Sequence, residues 1–436
     1  MSSERARNAD AAVGPARARW NRLFQALQKM GRSLQLPIAV LPAAGILNRL
    51  GQPDVFGDDG LGWTNVSKVM TGAGGALLDG QLGLPLLFCV GVAIGMAKKA
   101  DGSTALAAVT GFLVYYTVLR QFPEDCPGGS RAVPTIGCQA AADGTVTVFT
   151  YQNPGVFGGI VMGLLAAWFW QRFHRTRLVD WLGFFNGRRL VPIIMAFVAI
   201  AFAALCLWVW PPIGDGLENF SDWLSDAGAW GAGVFGVANR ALLVVGLHQF
   251  LNVPIWFQFG SYTKPDGTVV HGDINMFLAG DPDAGQFTSG FFPIMMFALP
   301  AAALAITHCA RPDRRKEVGG LMLSVALTSF VTGITEPIEY SFLFVAPLLY
   351  VAHALLTGVS MAVTWALGVH DGFSFSAGLI DYVINWNLAT RPWGIIPIGL
   401  CFALLYYVIF RFAITRFDLK TPGREPEEER EDVTKA

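Results

Sequence analysis

The stretch VPIIMAFVAIAFAALCLWVW, from Val191 to Trp210, contains no charged side chain. A run of about 18 to 20 apolar residues is long enough to cross a lipid bilayer as a helix. Similar, mainly apolar runs extend from Phe287 to Thr307, from Tyr340 to Leu356 and from Ile395 to Ile414. Because such runs recur along the chain, the sequence predicts an all-α polytopic membrane protein.

The composition of the whole chain supports this class. Of the 436 residues, 53% are hydrophobic and 14% are charged, and the mean hydropathy is +0.45. Soluble domains carry about 25% charged residues. The formal net charge of -1 points to neither an acidic nor a basic partner, so the informative feature is where the charges lie.

Basic residues collect in alternate connections between the apolar runs. The basic connections lie at residues 17–32, 98–99, 172–189 and 311–316, and the acidic connections lie at 54–59, 124–143, 215–222 and 266–283. Cytoplasmic connections of membrane proteins are enriched in Lys and Arg. Both termini are therefore predicted to be cytoplasmic. The segment from Trp20 to Leu34 is predicted to form an amphipathic helix on the inner membrane surface.

The order of the apolar runs predicts about ten transmembrane helices together with re-entrant hairpins. The first half is typical of regular helices at 37–50, 64–80, 84–97, 104–119, 156–173 and 190–210. Polar residues, Gly and Pro interrupt the second half, and irregular backbone is tolerated at membrane depth only where protein or a water-filled cavity satisfies it. We therefore predict a cytoplasmic N-terminal segment (1–35), a scaffold domain (36–212), a substrate-carrying domain (213–416) and a solvated, disordered tail (417–436).

The cysteines and the acidic loops indicate no metal site. The six cysteines form no C-x-x-C pair and no metal-ligand spacing. Cys126 and Cys138 share one predicted outer loop, an oxidising environment in which the sequence leaves a disulfide open. The stretch HGDINMFLAGDPDAGQF, from His271 to Phe287, contains carboxylates of the kind that bind calcium. Its spacing matches no EF-hand, so a solvated, turn-rich loop is the preferred interpretation.

The stretch TGITEPIEY, from Thr332 to Tyr340, places two carboxylates beside a strongly apolar run. Proline is favoured in the first turn of a helix, so Glu336 is predicted to cap a helix and Glu339 to be its third residue. With the preceding glycine turn, this predicts a re-entrant loop that holds Glu336 inside the membrane. Ionisable groups at that depth are costly and usually functional. Two glutamates that only cap a helix at the membrane interface would show the same pattern.

Two further polar clusters interrupt apolar stretches. In NRALLVVGLH, Arg240 and His248 are eight residues apart and would share a face if the segment were one helix. In GVHDGFSFSAGLIDYVINWN, His370 and Asn385 stand among aromatic residues. Arginine, histidine and asparagine side chains suit the hydroxyl and amide groups of a sugar. A snorkelling arginine, a satisfied core histidine and an ordinary re-entrant hairpin are the alternatives.

These motifs resemble the membrane (IIC) components of the glucose superfamily of the bacterial phosphoenolpyruvate-dependent sugar phosphotransferase system. The resemblance extends from LQLPIAVLPAAGILNRLG to FDLKTPGRE, and GITEP is specific to this group. The stretches HGDINMFLAGDPDAGQFTSGFFPIMMFALPAAAL and LGVHDGFSFSAGLIDY are most similar to the N-acetylglucosamine branch. Glucose members tend to carry arginine at the position of His370.

The resemblance implies a homodimer in the bacterial cytoplasmic membrane, in which the scaffold domain forms the dimer contact and the second domain carries the sugar. It implies that Glu336 and His248 are catalytic at the sugar hydroxyl, without a cofactor or metal. The sugar-binding residues that it implies are Arg240, His248, Thr335, Glu336, His370 and Asn385. We expect His370 and Asn385 to recognise the acetamido group.

Many relatives continue after LKTPGRE into a soluble IIB domain with a phosphorylatable cysteine, whereas the cysteines of this chain do not suit that role. The resemblance therefore implies that a separate phospho-IIB protein, supplied through IIA and HPr, phosphorylates the 6-hydroxyl of the sugar. No P-loop or kinase motif predicts direct use of ATP. The chain would act as the membrane subunit of a sugar phosphotransferase.

Other functions remain open on the residues alone. A proton- or sodium-coupled sugar symporter would also need intramembrane Glu, His and Arg. A sugar-sensing membrane receptor would use its tail to bind a partner. Within the phosphotransferase class, glucose is the alternative substrate. The state of accumulated sugar separates the classes, because it is phosphorylated in the first, free in the second and not accumulated in the third.

Overall fold

The structure is a computed structural model that describes residues 29–30, 33, 37, 40–78, 82–121, 138–140, 146–148, 154–244, 248–257, 260–264, 269–343 and 345–424. The α-helices of these residues are α1 (Leu41–Leu50), α2 (Thr64–Leu78), α3 (Gly83–Met96), α4 (Gly102–Leu119), α5 (Gly155–Phe173), α6 (Leu190–Asp226), α7 (Ala229–Leu243), α8 (His248–Phe257), α9 (Asp273–Leu278), α10 (Leu299–Cys309), α11 (Arg315–Thr332), α12 (Glu336–Leu343), α13 (Pro347–Ala366), α14 (Leu379–Ile384) and α15 (Ile395–Arg416). The predicted all-α class is confirmed.

The remaining regular elements are short. Short 3-10 segments occur at Asp180–Phe185, Gly187–Arg189 and Pro392–Gly394, and a π-helical turn at Pro293–Ala298 leads into α10. The antiparallel strand pairs are β1 (Cys138–Ala140) with β2 (Val146–Val148), and β3 (Ser261–Thr263) with β4 (Val269–His271). Val269 of β4 is buried.

Several described helices are long and apolar enough to cross a bilayer. Five helices meet both conditions, namely α4, α5, α6, α13 and α15. The pair α2 and α3, bent by 48° at a short break, would form a sixth span if it is counted as one. The total of about ten spans stays a prediction.

The helices bury their apolar faces in separate clusters. In the first half, α3 packs on α5 and α4 packs on α6, around buried side chains such as Phe112, Trp170 and Met195. In the second half, α7 packs along α13, and α10 packs along α15. Although α1 belongs to the first half of the chain, its buried Ala44 joins a core with Phe373 of the second half.

The structure differs from two local predictions. Instead of a connection at residues 215–222, α6 continues to Asp226 through Pro211 and Pro212. Proline is tolerated within membrane helices when neighbouring groups replace the lost hydrogen bond, and acidic residues do not by themselves end a helix.

The first part of the predicted disordered tail is packed. The carbonyl of Gly423 accepts from the N–H of Arg311 at 3.2 Å, Arg424 Nη1 donates to the carbonyl of Cys309 at 3.1 Å, and Thr421 is buried. The tail reaches the end of α10, where helix carbonyls lack intrahelical partners. Most of the predicted amphipathic helix, Cys126 and residues 425–436 lie outside the described residues.

Candidate functional site

The TGITEP stretch forms a turn between α11 and α12. Gly333 adopts a φ of 71°, a left-handed conformation that glycine reaches without steric cost. The carbonyl of Thr335 accepts hydrogen bonds from the N–H groups of Ile338 and Glu339 at 3.1 and 2.9 Å. The capping residue is therefore Thr335, one position before the predicted Glu336. Pro337 lies in the first turn whether the cap is Thr335 or Glu336, and its missing N–H costs nothing there. Proline alone could therefore not identify the first residue of α12.

Glu339 lies at the centre of a buried charged network. Its Oε1 accepts from Arg240 Nη1 on α7 at 2.5 Å and lies 3.4 Å from His353 Nε2 on α13. The Arg240 side chain is 5% exposed, and those of Glu339 and His353 are 0% exposed. Since an unpaired charge at such a position is strongly destabilising, Arg240 and Glu339 depend on each other.

Aromatic residues surround this ion pair. The Tyr350 hydroxyl donates to the backbone carbonyl of Arg240 at 2.6 Å, and the Tyr406 hydroxyl lies 2.9 Å from His353 Nδ1. The Arg240 guanidinium carbon is 5.0 Å from the ring centre of Phe291, within the range of a cation–π interaction. The network thus joins α7, α12, α13 and α15 around one pair of opposite charges.

Glu336 and Thr335 occupy the turn beside this network. Thr335 is buried, and Glu336 is half-buried in the first turn of α12, where the helix dipole favours a carboxylate. Among the described residues, no ion pair reaches Glu336, whereas Glu339 is paired. The two glutamates of one motif therefore have different surroundings.

Arg240 and His248 do not share one helix, so the condition under which they would share a helix face is not met. Arg240 lies in α7, which ends at Leu243, and His248 begins α8. Apolar spacing could not reveal that break, because two short helices and one long helix give similar patterns. His248 is nevertheless buried and close enough to Arg240 and Glu339 to interact electrostatically with both. Their common role in sugar binding stays a prediction.

His370 and Asn385 make separate sets of contacts. Asn385 Oδ1 accepts from Arg49 Nε at 2.7 Å, and its Nδ2 donates to the carbonyl of Gly372 at 3.0 Å. The His370 ring stacks on Trp365 with centroids 4.1 Å apart, and its Nδ1 is 3.1 Å from the Pro282 carbonyl oxygen. Protein groups thus occupy both polar atoms of Asn385. The sugar-binding roles of the two residues stay predictions.

The loop from His370 to Asn385 touches the TGITEP turn. Ser376 Oγ donates to the carbonyl of Gly333 at 2.9 Å. A β-carbon on Gly378 would lie 2.5 Å from the Gly333 nitrogen, so the backbones are in close contact. Asp381 holds the second loop by accepting from the N–H groups of Ser374 and Ser376 at 2.6 and 3.2 Å. The loop that follows His370 therefore ends against the turn that carries Glu336.

Sequence reasoning missed two buried charged or titratable side chains. His353 stands alone in the apolar run YVAHALL, and Arg49 ends the run PAAGILNR. Arg49 is 1% exposed, and its Nη1 and Nη2 bind Asp54 at 2.7 and 2.6 Å. The general cost of ionisable groups inside a predicted span is the signal that could have found both.

Asp273 differs from the predicted solvated loop. It is buried, and its carboxylate accepts from the N–H groups of Gly285 and Phe287 at 2.9 and 3.2 Å and from the Thr288 hydroxyl at 3.3 Å. A carboxylate with several donors can turn inward, because those donors replace water. Within the described part of the chain, no group of three His, Cys, Asp or Glu side chains is arranged to hold a metal ion.

A family model described as "Phosphotransferase system, EIIC" matches residues 31–358. This chain belongs to the phosphotransferase system EIIC family. It is 65% identical over 424 residues to the N-acetylglucosamine-specific EIIC component of Streptomyces coelicolor, covering 97% of this chain and 98% of that protein. The resemblance noted from the sequence motifs is confirmed, and the protein is a membrane component of a sugar phosphotransferase system.

Two further similarities cover most of the chain. It is 45% identical over 405 residues to the N-acetylglucosamine-specific EIICBA component of Escherichia coli, covering 92% of this chain and 57% of that protein. The transporter ChbC, the IIC component of the N,N'-diacetylchitobiose-specific phosphotransferase system, has a similar structure with a TM-score of 0.55 at 15% identity. That match covers 91% of this chain and 93% of ChbC and shows a shared fold.

Proposed function

We propose that this EIIC protein imports N-acetylglucosamine across the bacterial cytoplasmic membrane while a separate phospho-IIB protein phosphorylates its 6-hydroxyl. The assignment of this substrate rests on the 65% identity, over nearly the full length of both chains, to a protein named for that sugar. Glucose is the alternative substrate.

The contacts of the TGITEP turn support a division of roles. Glu336, free of an ion pair within the described residues, is proposed to accept the proton of the 6-hydroxyl. The hydroxyl oxygen then attacks the phosphorus of the IIB phosphocysteine, the phosphorus–sulfur bond breaks, and the cysteine leaves as a thiolate. Arg240, His248 and Thr335 are proposed to bind and orient the sugar, since alignment of the reacting atoms contributes several kcal/mol to such a step.

His370 and Asn385 are proposed to recognise the acetamido group. Its N–H and carbonyl would pair with polar side chains that a sugar without the amide leaves unsatisfied, and such mismatches give strong discrimination. For Asn385, binding requires that its amide exchange a contact with Arg49 or Gly372 for one with the sugar. For His370, the stacking on Trp365 already fixes the ring plane.

The proposed architecture follows the expectations from the sequence. A scaffold domain (36–212) forms the contact of a homodimer, and a substrate-carrying domain (213–416) moves the sugar across a membrane of about ten spans. The boundary falls inside α6, so that helix would connect the two domains. Both termini face the cytoplasm, where IIB, IIA and HPr deliver the phosphoryl group, and membrane lipid surrounds the spans.

The test uses vesicles with the purified protein in their membrane and labelled N-acetylglucosamine added outside. With phosphoenolpyruvate and the soluble phosphotransferase proteins inside, the sugar should accumulate as its 6-phosphate, and omission of IIB should abolish accumulation. Glu336→Gln should lower the rate by about 100-fold or more, because the proton acceptor is lost. The exposed Glu317 supplies the control, since Glu317→Gln should leave the rate unchanged.

Different failures identify different errors. Accumulation of free sugar driven by an ion gradient would indicate a symporter. Equal competition by unlabelled glucose and N-acetylglucosamine would exclude the proposed substrate but leave the phosphotransferase class intact. A Glu336→Gln variant with the wild-type rate would show that Glu336 is not the proton acceptor.

A further inference from the structure

Glu339 has no role in the phosphoryl step proposed above, yet it is the more enclosed of the two carboxylates in the stretch TGITEPIEY. It is 0% exposed and is held between Arg240 and His353, whose helices precede and follow it in the chain. A helix cap needs neither of these partners. The surroundings of Glu339 therefore call for another explanation.

Arg240 has donors left over after it pairs with Glu339. Its contact with the carboxylate uses Nη1, while the buried Nε has no hydrogen-bond partner within the described residues. A buried donor without a partner costs about 1–3 kcal/mol. A hydroxyl oxygen of a bound sugar would satisfy this donor, so the edge of the guanidinium that carries Nε is suited to the substrate.

The other contacts of Arg240 fix its orientation without using that edge. Its backbone carbonyl accepts from Tyr350, and its guanidinium carbon lies over the Phe291 ring. His353 Nε2 lies 3.4 Å from Glu339 on one side of its ring, and Nδ1 lies 2.9 Å from the Tyr406 hydroxyl on the other. The ion pair with Glu339 thus holds the Nη1 end of the guanidinium.

We propose that Glu339 is a positioning residue that holds the Arg240 guanidinium toward the sugar and cancels its charge. The net negative charge of the site then rests on Glu336, the proton acceptor. The identity of the sugar rests on the function proposed above, whereas the pairing itself rests on the geometry. Because Glu339 acts through Arg240, its removal weakens sugar binding in the ground state and the transition state alike.

The experiment is a double-mutant cycle with Arg240→Met and Glu339→Gln, measured by equilibrium binding of labelled N-acetylglucosamine. Glu339→Gln should weaken binding by about 10-fold or more, and the double variant should bind like Arg240→Met alone, because coupled residues are not additive. The phosphorylation rate of Glu339→Gln at saturating sugar should stay within about threefold of wild type, as expected when uniform binding is lost. Glu339→Asp, which keeps the charge, should recover part of the affinity.

Asp273→Asn provides a matched control. This variant changes another buried, hydrogen-bonded carboxylate, so it should lower thermal stability without changing sugar affinity. If Glu339→Gln behaves like this control, its role is only structural and the proposal is wrong. If the double variant binds more weakly than Arg240→Met alone, Glu339 contacts the sugar itself and the proposal is also wrong.

The same proteins separate this proposal from the proposed function. If the wild-type protein binds glucose instead of N-acetylglucosamine, only the proposed substrate is wrong. The double-mutant cycle is then measured with labelled glucose. If neither sugar binds, the proposed function fails, and thermal stability still tests the pairing. In that measurement the double variant should be more stable than Arg240→Met, because it no longer buries an unpaired carboxylate. Additive losses of stability would overturn the pairing.

Discussion

The two loops that meet at Gly333 use buried carboxylates in opposite ways. Next to the TGITEP turn, Glu339 faces side chains of other helices, namely Arg240 and His353. In the loop from His370 to Asn385, Asp381 instead accepts from backbone N–H groups of its own loop. The first arrangement couples charges from distant parts of the chain, whereas the second fixes the shape of one segment. We infer that the first serves the substrate and the second serves the fold.

Asp371 is a third case within the second loop. It is fully buried, and neither Oδ atom has a hydrogen-bond partner within the described residues. Burial of a polar group without a partner is unfavourable. In this loop we therefore expect Asp381 to stabilise the fold and Asp371 not to stabilise it.

The largest effect is expected where the two loops touch. A β-carbon at Gly378 would lie 2.5 Å from the nitrogen of Gly333 and 2.6 Å from the carbonyl carbon of Thr332, and backbone atoms cannot move aside cheaply. Gly378→Ala should lower the free energy of unfolding by about 3 kcal/mol and reduce transport. Denaturant titration of the purified protein measures the first effect, and vesicle uptake measures the second.

Gly72 in α2 is the control for this substitution. A β-carbon there would meet nothing within 4 Å, so Gly72→Ala should stabilise the helix by about 0.5–1 kcal/mol. Wild-type stability and uptake in Gly378→Ala would show that the two loops do not touch, and the comparison between them would lose its basis.

A smaller effect is expected at Asp381. Asp381→Asn removes the charge from an acceptor that serves the N–H groups of Ser374, Phe375 and Ser376. Hydrogen bonds to charged groups contribute about 1.5–3 kcal/mol, so stability should fall by about 2 kcal/mol while sugar affinity stays near wild type. Thermal unfolding and equilibrium sugar binding together check this. A large loss of sugar affinity at unchanged stability would show that Asp381 serves sugar binding and not the stability of the loop.

The smallest effect is expected at Asp371. Asp371→Asn keeps the size of the side chain and replaces a buried carboxyl group, which lacks hydrogen bonds among the described residues, with a neutral amide. The variant should be as stable as wild type or more stable by up to about 1 kcal/mol, because a desolvation cost disappears. Thermal unfolding beside Asp381→Asn gives the direct comparison. Destabilisation equal to that of Asp381→Asn would mean that Asp371 has a stabilising partner.

The sequence by itself determined the class of the protein and the position of many helices. The predicted helices at 104–119 and 156–173 agree within two residues with α4 (Gly102–Leu119) and α5 (Gly155–Phe173). Apolar run length and turn residues act within one segment, so they can be recognised without knowledge of any other segment. The same local chemistry identified the stretch TGITEPIEY and its two glutamates as candidates for function.

Only the tertiary structure decided which polar side chains meet. The partner of Arg240 is Glu339, 99 residues away, and the partner of Asn385 is Arg49, 336 residues away. A local pattern can show that a buried charge needs a partner, but not which helix supplies it, because that depends on how the helices pack. For the same reason Glu336 and Glu339, three residues apart in one motif, acquired different surroundings and different proposed roles.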